Sequence, residues 1–239
     1  MHKFLFIALA IINIGFGNMV WMDEPKPPLL TAAIEKPPTP KEALEELIKG
    51  NERHVNSLHQ NLNRNLERRT AISEKQTPFA IVVGCSDSRV TPEIIFDQGL
   101  GEIFVVRIAG NVIGRTGLAS VEYSAEYLHS PLIMVLGHEN CGAIKAVLAG
   151  QTEDIEPIAI KVENAIKKYS PHIPDRVEDA VKANVIGVVE QLKEAGPLAQ
   201  LIKEKKLAIV GGYYKLDTGK VSICCGLEQD TLKKPEATP

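Results

Sequence analysis

The sequence predicts an α/β fold, in which a mostly parallel central sheet carries helices on both faces and ends in a C-terminal antiparallel hairpin strand. From residue 79 onward, short apolar runs alternate with helical segments, which is the pattern of successive strand–helix–strand units. The apolar runs are also continuous rather than alternating with polar residues. Continuous runs are expected for parallel strands that are covered on both faces.

The strands and helices can be placed in chain order. The predicted strands are 79–84, 102–109, 131–137, 206–214 and 220–226. The turn "LDTG" between the last two is too short for a parallel crossover, so these two strands should form a hairpin. The predicted helices within this region are 118–129, 142–150, 156–169 and 175–194.

An N-terminal helical arm precedes the sheet and begins with a capping signature. Thr39 is placed to cap this helix, Pro40 suits its first turn, and Glu42 completes a capping box. We therefore place the folded domain at 40–230, with a Pro-rich tether at 23–39 before it and a short tail at 231–239 after it.

Residues 1–22 differ from the rest of the chain. A short basic start at His2 and Lys3 is followed by an apolar run from Phe4 to Phe16, which is the layout of a signal peptide. We expect a cleaved signal peptide and hence a periplasmic or secreted protein. The alternatives are an uncleaved membrane anchor, the one form that would give the chain a membrane partner, and a cytoplasmic N-terminal helix.

The charge and the cysteine content narrow the function classes. The net charge is −3 and no long basic run occurs, so nucleic acid is not an expected partner. The chain has four cysteines in 239 residues, which does not make a disulfide framework. Cys224 and Cys225 lie on the last predicted strand, where we expect them to pack as small apolar side chains.

Three residues at the expected functional edge of the sheet are typical metal ligands. Cys85 follows the first strand, and His138 and Cys141 follow the third. Ligands of open α/β sheets bind beyond the carboxyl ends of the strands, so these side chains should converge there. Two thiolates and one imidazole suit zinc, and three protein ligands leave a fourth position open, as in catalytic rather than structural zinc sites.

The motifs around these residues resemble those of the beta-class carbonic anhydrases. "CSDSR" at 85–89 precedes "HENC" at 138–141, each follows a strand, and "FVVRIAGN" at 104–111 lies between them. The resemblance covers roughly Pro40 to Gly226. It implies an obligate homodimer, or a tetramer built from it, with one Zn²⁺ per subunit. It also implies reversible hydration of carbon dioxide to bicarbonate, by attack of zinc-bound hydroxide on CO₂.

The resemblance also assigns roles to two charged residues. Asp87 is implied to be either a fourth zinc ligand in a closed state or an acceptor that orients the hydroxide in an open state. Arg89 is implied to hold Asp87 away from the metal through a bidentate charge-assisted pair. Carboxylate and hydroxide carry the same charge, so Asp87 can replace hydroxide on the metal without changing the net charge of the site.

The resemblance bears on four further positions. Gly142 is a candidate to donate its backbone N–H to bicarbonate at a helix start, and Gln98 is a candidate amide of the substrate pocket. Arg107 matches an arginine of the family motif. Its alternative role is that of a structural ion pair at the dimer interface. Val82 stands where members with an inhibitory bicarbonate site carry tryptophan, so that form of regulation is not expected.

Two other functions stay open at this point. The same fold could hydrolyse carbonyl sulfide or carbon disulfide, since the same hydroxide can attack them. The lining of the pocket would determine which of these substrates is used. A noncatalytic zinc or redox domain is the other alternative, although it has no need of a displaceable carboxylate such as Asp87. No proton shuttle is assigned; the candidate histidines, each more typical of a surface position, are His54, His59, His129 and His172.

Overall fold

The computed structural model describes residues 38–171 and 177–226. The predicted signal peptide, nearly all of the predicted tether, the predicted tail and the shuttle candidate His172 lie outside these residues and stay predictions. None of the helices in the described ranges is both long and apolar enough to cross a membrane.

The described residues contain a five-stranded sheet with the order β2-β1-β3-β4-β5. Its strands are β1 Ala80–Gly84, β2 Ile103–Arg107, β3 Leu132–His138, β4 Ala208–Tyr214 and β5 Val221–Cys225. The first four are parallel, and β5 pairs antiparallel with β4. The predicted α/β class, its mostly parallel sheet and its C-terminal hairpin are therefore confirmed.

The helices are arranged around this sheet in chain order. They are α1 Pro40–Val55, α2 Leu66–Ala71, α3 Pro92–Ile95, α4 Arg115–Tyr127, α5 Gly142–Leu148, α6 Glu156–Tyr169, α7 Val177–Glu194 and α8 Gly196–Lys203, with a 3₁₀ turn at Ala109–Asn111. The predicted capping box of α1 is present: Thr39 Oγ1 accepts from the Glu42 N–H at 3.3 Å, and Glu42 Oε2 accepts from the Thr39 N–H at 2.7 Å. The short helices α2 and α3 and the helix α8 were not predicted.

Each face of the sheet has its own apolar core, because successive strand residues point to opposite faces. Val82 and Met134 pack on one face with Leu47 of α1. Val83 and Val135 pack on the other face, where helices α4, α7 and α8 cover them. Coverage of both faces is the reason that the strands read as continuous apolar runs.

The strand order creates a crevice beside β1. From β1 the chain passes to β2 on one side and then crosses to β3 on the other side. The chain leaves the adjacent strands β1 and β3 in opposite directions, so a crevice opens between their carboxyl ends. Open α/β sheets bind ligands at such a switch point. The carboxyl ends of β1 and β3 therefore define the expected site.

Gly137, next to the last residue of β3, lets helix α7 approach the sheet closely. A Cβ at this position would lie 2.6 Å from Val185 Cγ2 and 2.8 Å from Val181 Cγ1, closer than real Cβ contacts allow. The absent side chain thus sets the distance between α7 and the strand that carries His138.

Candidate metal centre

The structure brings the three predicted donors together at the switch point. Cys85 directly follows β1, His138 ends β3, and Cys141 is the N-cap of α5. Their ligand atoms all lie within 4.8 Å of one another, and all three side chains are buried. Neighbouring parallel strands supply two of the donors, and the turn after β3 supplies the third.

The His138 ring presents a free nitrogen lone pair to this group. Nδ1 lies 2.9 Å from the backbone carbonyl oxygen of Glu139. A carbonyl only accepts hydrogen bonds, so Nδ1 carries the proton and Nε2 is the basic nitrogen. Nε2 is buried and has no hydrogen-bond partner within the described ranges. A buried acceptor without a partner is costly, and a metal ion bound there would satisfy it.

The sulfur of Cys85 is favoured as a thiolate. It accepts hydrogen bonds from the backbone N–H groups of Asp87 at 3.4 Å and Gly110 at 3.3 Å. The hydrogen bond from the Cys141 thiol is the largest of the contributions that lower the pKa of Cys85 to about 4. The same bond, together with burial, raises the pKa of Cys141. In the absence of a cation, the two thiols therefore share one proton.

This donor set fits zinc. Zinc is bound in proteins by thiolate sulfur and imidazole nitrogen, and its catalytic sites use three protein ligands. The site supplies two sulfur atoms and one nitrogen atom, close enough together to bind one ion, from Cys85, Cys141 and His138. Two thiolates also balance the charge of a divalent cation, which would let both cysteines lose their protons in this buried position.

Asp87 and Arg89 lie at the border of the group as a bidentate pair. Asp87 Oδ1 accepts from Arg89 Nε at 2.9 Å, and Asp87 Oδ2 accepts from Arg89 Nη2 at 2.7 Å. The Arg89 guanidinium is the main reason that the pKa of Asp87 lies well below its usual range. Asp87 Oδ2 is 3.9 Å from His138 Nε2. The carboxylate thus stays ionised and close to the donors while its hydrogen bonds go to Arg89.

Arg107 holds the loop that carries Cys85 and Asp87. Its Nε donates to the carbonyl oxygen of Cys85 at 2.8 Å, and its Nη2 donates to the carbonyl oxygen of Asp87 at 2.5 Å. The resemblance of the sequence to the family matches this arginine to a family position but does not indicate these bonds. Within the described structure, Arg107 therefore positions the loop.

Asn184 supports the cluster from helix α7. Its Nδ2 donates to the carbonyl oxygen of Gly110 at 2.7 Å, and the N–H of Gly110 donates to Cys85 Sγ at 3.3 Å. Gly110 adopts a φ of +68°, a conformation that suits glycine. Sequence analysis did not single out Asn184, because a buried polar residue in the middle of a helix acquires this role only through tertiary packing.

The other predicted residues lie in different surroundings. Gly142 is the first residue of α5, directly after Cys141, and open space lies where its Cβ would be. Gln98 is buried, and its Nε2 donates to the Phe96 carbonyl oxygen at 2.8 Å, so that one of its two amide N–H groups is already engaged. Their substrate contacts stay predictions.

Two of the shuttle candidates form a hydrogen-bonded chain. His54 Nδ1 lies 3.0 Å from His59 Nε2, and His54 Nε2 lies 3.2 Å from the Tyr214 hydroxyl. Burial is the main cause that lowers the pKa of His54. His129 is exposed, as expected of a surface histidine.

The fold and the buried group together define an α/β protein with a switch-point site suited to a transition metal. Comparison with known proteins agrees. The family model described as carbonic anhydrase matches residues 80–221. The carbonic anhydrase of Mycolicibacterium smegmatis is 39% identical over 192 residues, which cover 77% of this chain and 93% of that protein. Carbonic anhydrase 2 of Mycobacterium tuberculosis is 38% identical over 189 residues, covering 76% and 91% of the two chains.

Solved structures give the same result. A Coccomyxa beta-carbonic anhydrase in complex with acetazolamide is 25% identical, covers 76% of this chain and 84% of its own, and superposes with a TM-score of 0.59. A tetrameric beta-carbonic anhydrase of Sordaria macrospora, 21% identical, shares the fold with a TM-score of 0.62 over 78% of this chain and 98% of its own. The chain belongs to the carbonic anhydrase family, in its beta class, and is an enzyme of that family.

Replacing Arg107 by methionine should loosen the loop that carries Cys85. The variant loses both hydrogen bonds to buried or half-buried carbonyl oxygens, so the free energy of unfolding should fall by about 1–3 kcal/mol. Urea unfolding followed by circular dichroism measures this change. Arg69→Met, on the exposed surface of α2, is the matched control and should stay within about 0.5 kcal/mol of the parent. Equal stability of the two variants would contradict the positioning role of Arg107.

Proposed function

We propose that this enzyme catalyses the reversible hydration of carbon dioxide to bicarbonate and a proton, with one Zn²⁺ held by Cys85, His138 and Cys141. The observation that carries the proposal is the buried Nε2 of His138, which faces two cysteine sulfurs within 4.8 Å and has no other described partner. The membership in the carbonic anhydrase family, established over most of the chain, supports the same reaction.

The residues divide the work between them. A zinc ion in this site would supply a hydroxide nucleophile near neutral pH, because zinc lowers the pKa of water to about 7 in favourable protein sites. The N–H groups of Asp87 and Gly110 hold Cys85 as a thiolate and fix the direction of its lone pairs. The Glu139 carbonyl keeps the proton of His138 on Nδ1, so that the lone pair of Nε2 is available to coordinate a metal ion.

Asp87 acts on the attacking water in this proposal. Its Oδ2 lies 3.9 Å from His138 Nε2. An ionised carboxylate accepts hydrogen bonds and donates none. It can therefore accept a hydrogen bond from the attacking water and orient the oxygen lone pair towards carbon dioxide. Arg89 keeps this carboxylate charged and holds both of its oxygens by hydrogen bonds, which is the arrangement expected of an open site.

Metal removal tests the central proposal. The purified protein should contain about one zinc ion per chain, as three protein ligands in one buried group imply. Dialysis against a strong chelator should abolish carbon dioxide hydration in a stopped-flow assay with a pH indicator, and added zinc should restore it. A metal-free, folded protein that hydrates carbon dioxide at the original rate would refute the proposal, and a zinc-loaded protein without activity would favour a noncatalytic zinc domain.

Substitution of Asp87 tests the orienting role. Asp87→Ala should lower kcat/KM for carbon dioxide by about a hundredfold, the lower end of the range for a positioned proton acceptor. Zinc content should stay near one per chain, because Asp87 bonds to Arg89 rather than to the three donors. Asp217→Ala, which removes an exposed carboxylate from the β4–β5 turn, is the control. Wild-type rates in the Asp87 variant would exclude the role.

We further propose that the enzyme is a homodimer joined at the edge strand β2. Four of its five residues are only half-buried, from Phe104 to Arg107. Phe104 also contacts Tyr123 at 6.3 Å between ring centroids, and Tyr123 stacks on Tyr127 at 5.6 Å. Tyr127 is 71% exposed. An apolar edge strand with an exposed aromatic pair beside it is suited to pairing with a second copy.

Light scattering after gel filtration should find twice the mass of the chain. Tyr127→Glu should shift the mass towards that of the monomer, because it places a charge in the apolar surface. Lys203→Gln changes the net charge by the same amount on the exposed side of α8 and should leave the dimer intact. A dimer that persists unchanged in Tyr127→Glu would argue against this surface as the interface, and a fourfold mass would indicate a tetramer.

A further inference from the structure

The last strand carries two adjacent cysteines that the catalytic site does not use. Cys224 and Cys225 are both free and half-buried on β5. Adjacent residues of a regular strand point to opposite faces of the sheet. Here the strand is irregular, and the irregularity changes where the two sulfur atoms lie.

A bulge places both sulfurs on the same side. Gly211 of β4 pairs with Cys225, but the next residue, Gly212, pairs with Ile223, so that Cys224 is an extra residue in β5. The site where a Cβ of Gly211 would be lies 3.5 Å from Cys224 Sγ and still closer to Cys225 Sγ. The two sulfurs therefore share the space that the missing side chain of Gly211 leaves open.

The surroundings favour a thiolate at Cys225, although burial of the pair opposes a charge there. The hydrogen bond from Cys224 lowers the pKa of Cys225, and the same bond raises the pKa of Cys224. The positive charge of Lys193 also acts to lower the pKa of Cys225, against the opposing effect of Glu190. The positive charge of Lys182 likewise acts to lower the pKa of Cys224. A cation that replaced the shared proton would bind both sulfurs as thiolates.

We infer that Cys224 and Cys225 form a binding site for a thiophilic monovalent cation of the copper(I) class. Soft thiolate ligands select such ions, and copper(I) is satisfied by two sulfur ligands. Zinc, in contrast, takes four ligands in closed sites. In the described parts of the chain, the single group of three or more metal-ligating side chains is that of Cys85, His138 and Cys141.

A disulfide between the two residues is the less favourable alternative. Consecutive Cα atoms are about 3.8 Å apart across a trans peptide, whereas disulfides usually join Cα atoms about 4.4–6.8 Å apart. A bond between neighbouring cysteines is therefore strained and easily reduced. A bound ion avoids this strain, because the two sulfurs then stay separated by the ion. The lysines Lys182 and Lys193 offset the single negative charge of a dithiolate with a monovalent cation.

The test is an anaerobic titration of the zinc-loaded protein with copper(I) alone, in competition with the chromophoric chelator bicinchoninate. The wild type should withhold about one copper(I) per chain from the chelator while its zinc stays bound. Cys224→Ser and Cys225→Ser should each weaken this binding by about a hundredfold. Each variant keeps only one thiolate and loses the gain in affinity that a second, covalently linked thiolate provides. Ser222→Ala, on the exposed face of the same strand, should bind as the wild type does.

Two measurements keep the result decisive. Zinc content and thermal unfolding, compared with the wild type, show whether each serine variant is folded. X-ray absorption at the copper edge of the loaded wild type should show two sulfur neighbours and no imidazole nitrogen. The inference is overturned if copper(I) binds only as zinc leaves, if a nitrogen ligand appears, or if both serine variants withhold copper(I) as the wild type does.

Discussion

The gathering of two thiols and one imidazole in a buried crevice is the constraint on which the rest of the structure depends. Polar groups of this kind are costly to bury unless each finds a partner. Cys85 Sγ accepts hydrogen bonds from two backbone N–H groups, and the Nδ1–H of His138 donates a hydrogen bond to the Glu139 carbonyl oxygen. His138 Nε2 is left to face the sulfurs. The surrounding hydrogen bonds thus orient the donors before any ion arrives, which is how supporting residues usually tune a metal site.

The support reaches beyond the crevice through two independent connections. Arg107, at the end of β2, holds the backbone on both sides of Ser86. Asn184 reaches Gly110 from helix α7, whose distance from the sheet is set at Gly137. Elements from three parts of the chain therefore hold the backbone segments around Cys85 in place. Long-range contacts of this kind are available only in the folded state, so the site and the fold stabilise each other.

Sequence reasoning could predict the donors but not their supports. The strands followed from continuous apolar runs, and Cys85 and His138 followed from their places at the strand ends. The roles of Arg107 and Asn184 depend on which backbone atoms face them, and no periodicity encodes that. The short helices α2 and α3 were missed because a few residues carry too little pattern, and the β5 bulge was missed because it depends on the register against β4. Cys224 and Cys225 pack against the apolar core as expected, but only the register of β5 against β4 brings their two sulfurs to the same side.

The two edges of the sheet differ in what they offer to another protein chain. The β2 edge keeps a regular ladder, whereas the bulge at Cys224 breaks the spacing of backbone hydrogen bonds along β5. Irregular edge strands discourage further strands from adding. A sheet with one receptive edge closes into pairs through a two-fold contact, while a sheet with two receptive edges grows into open-ended fibres. The bulge in β5 therefore favours an assembly that stops at a pair over open-ended growth through this edge.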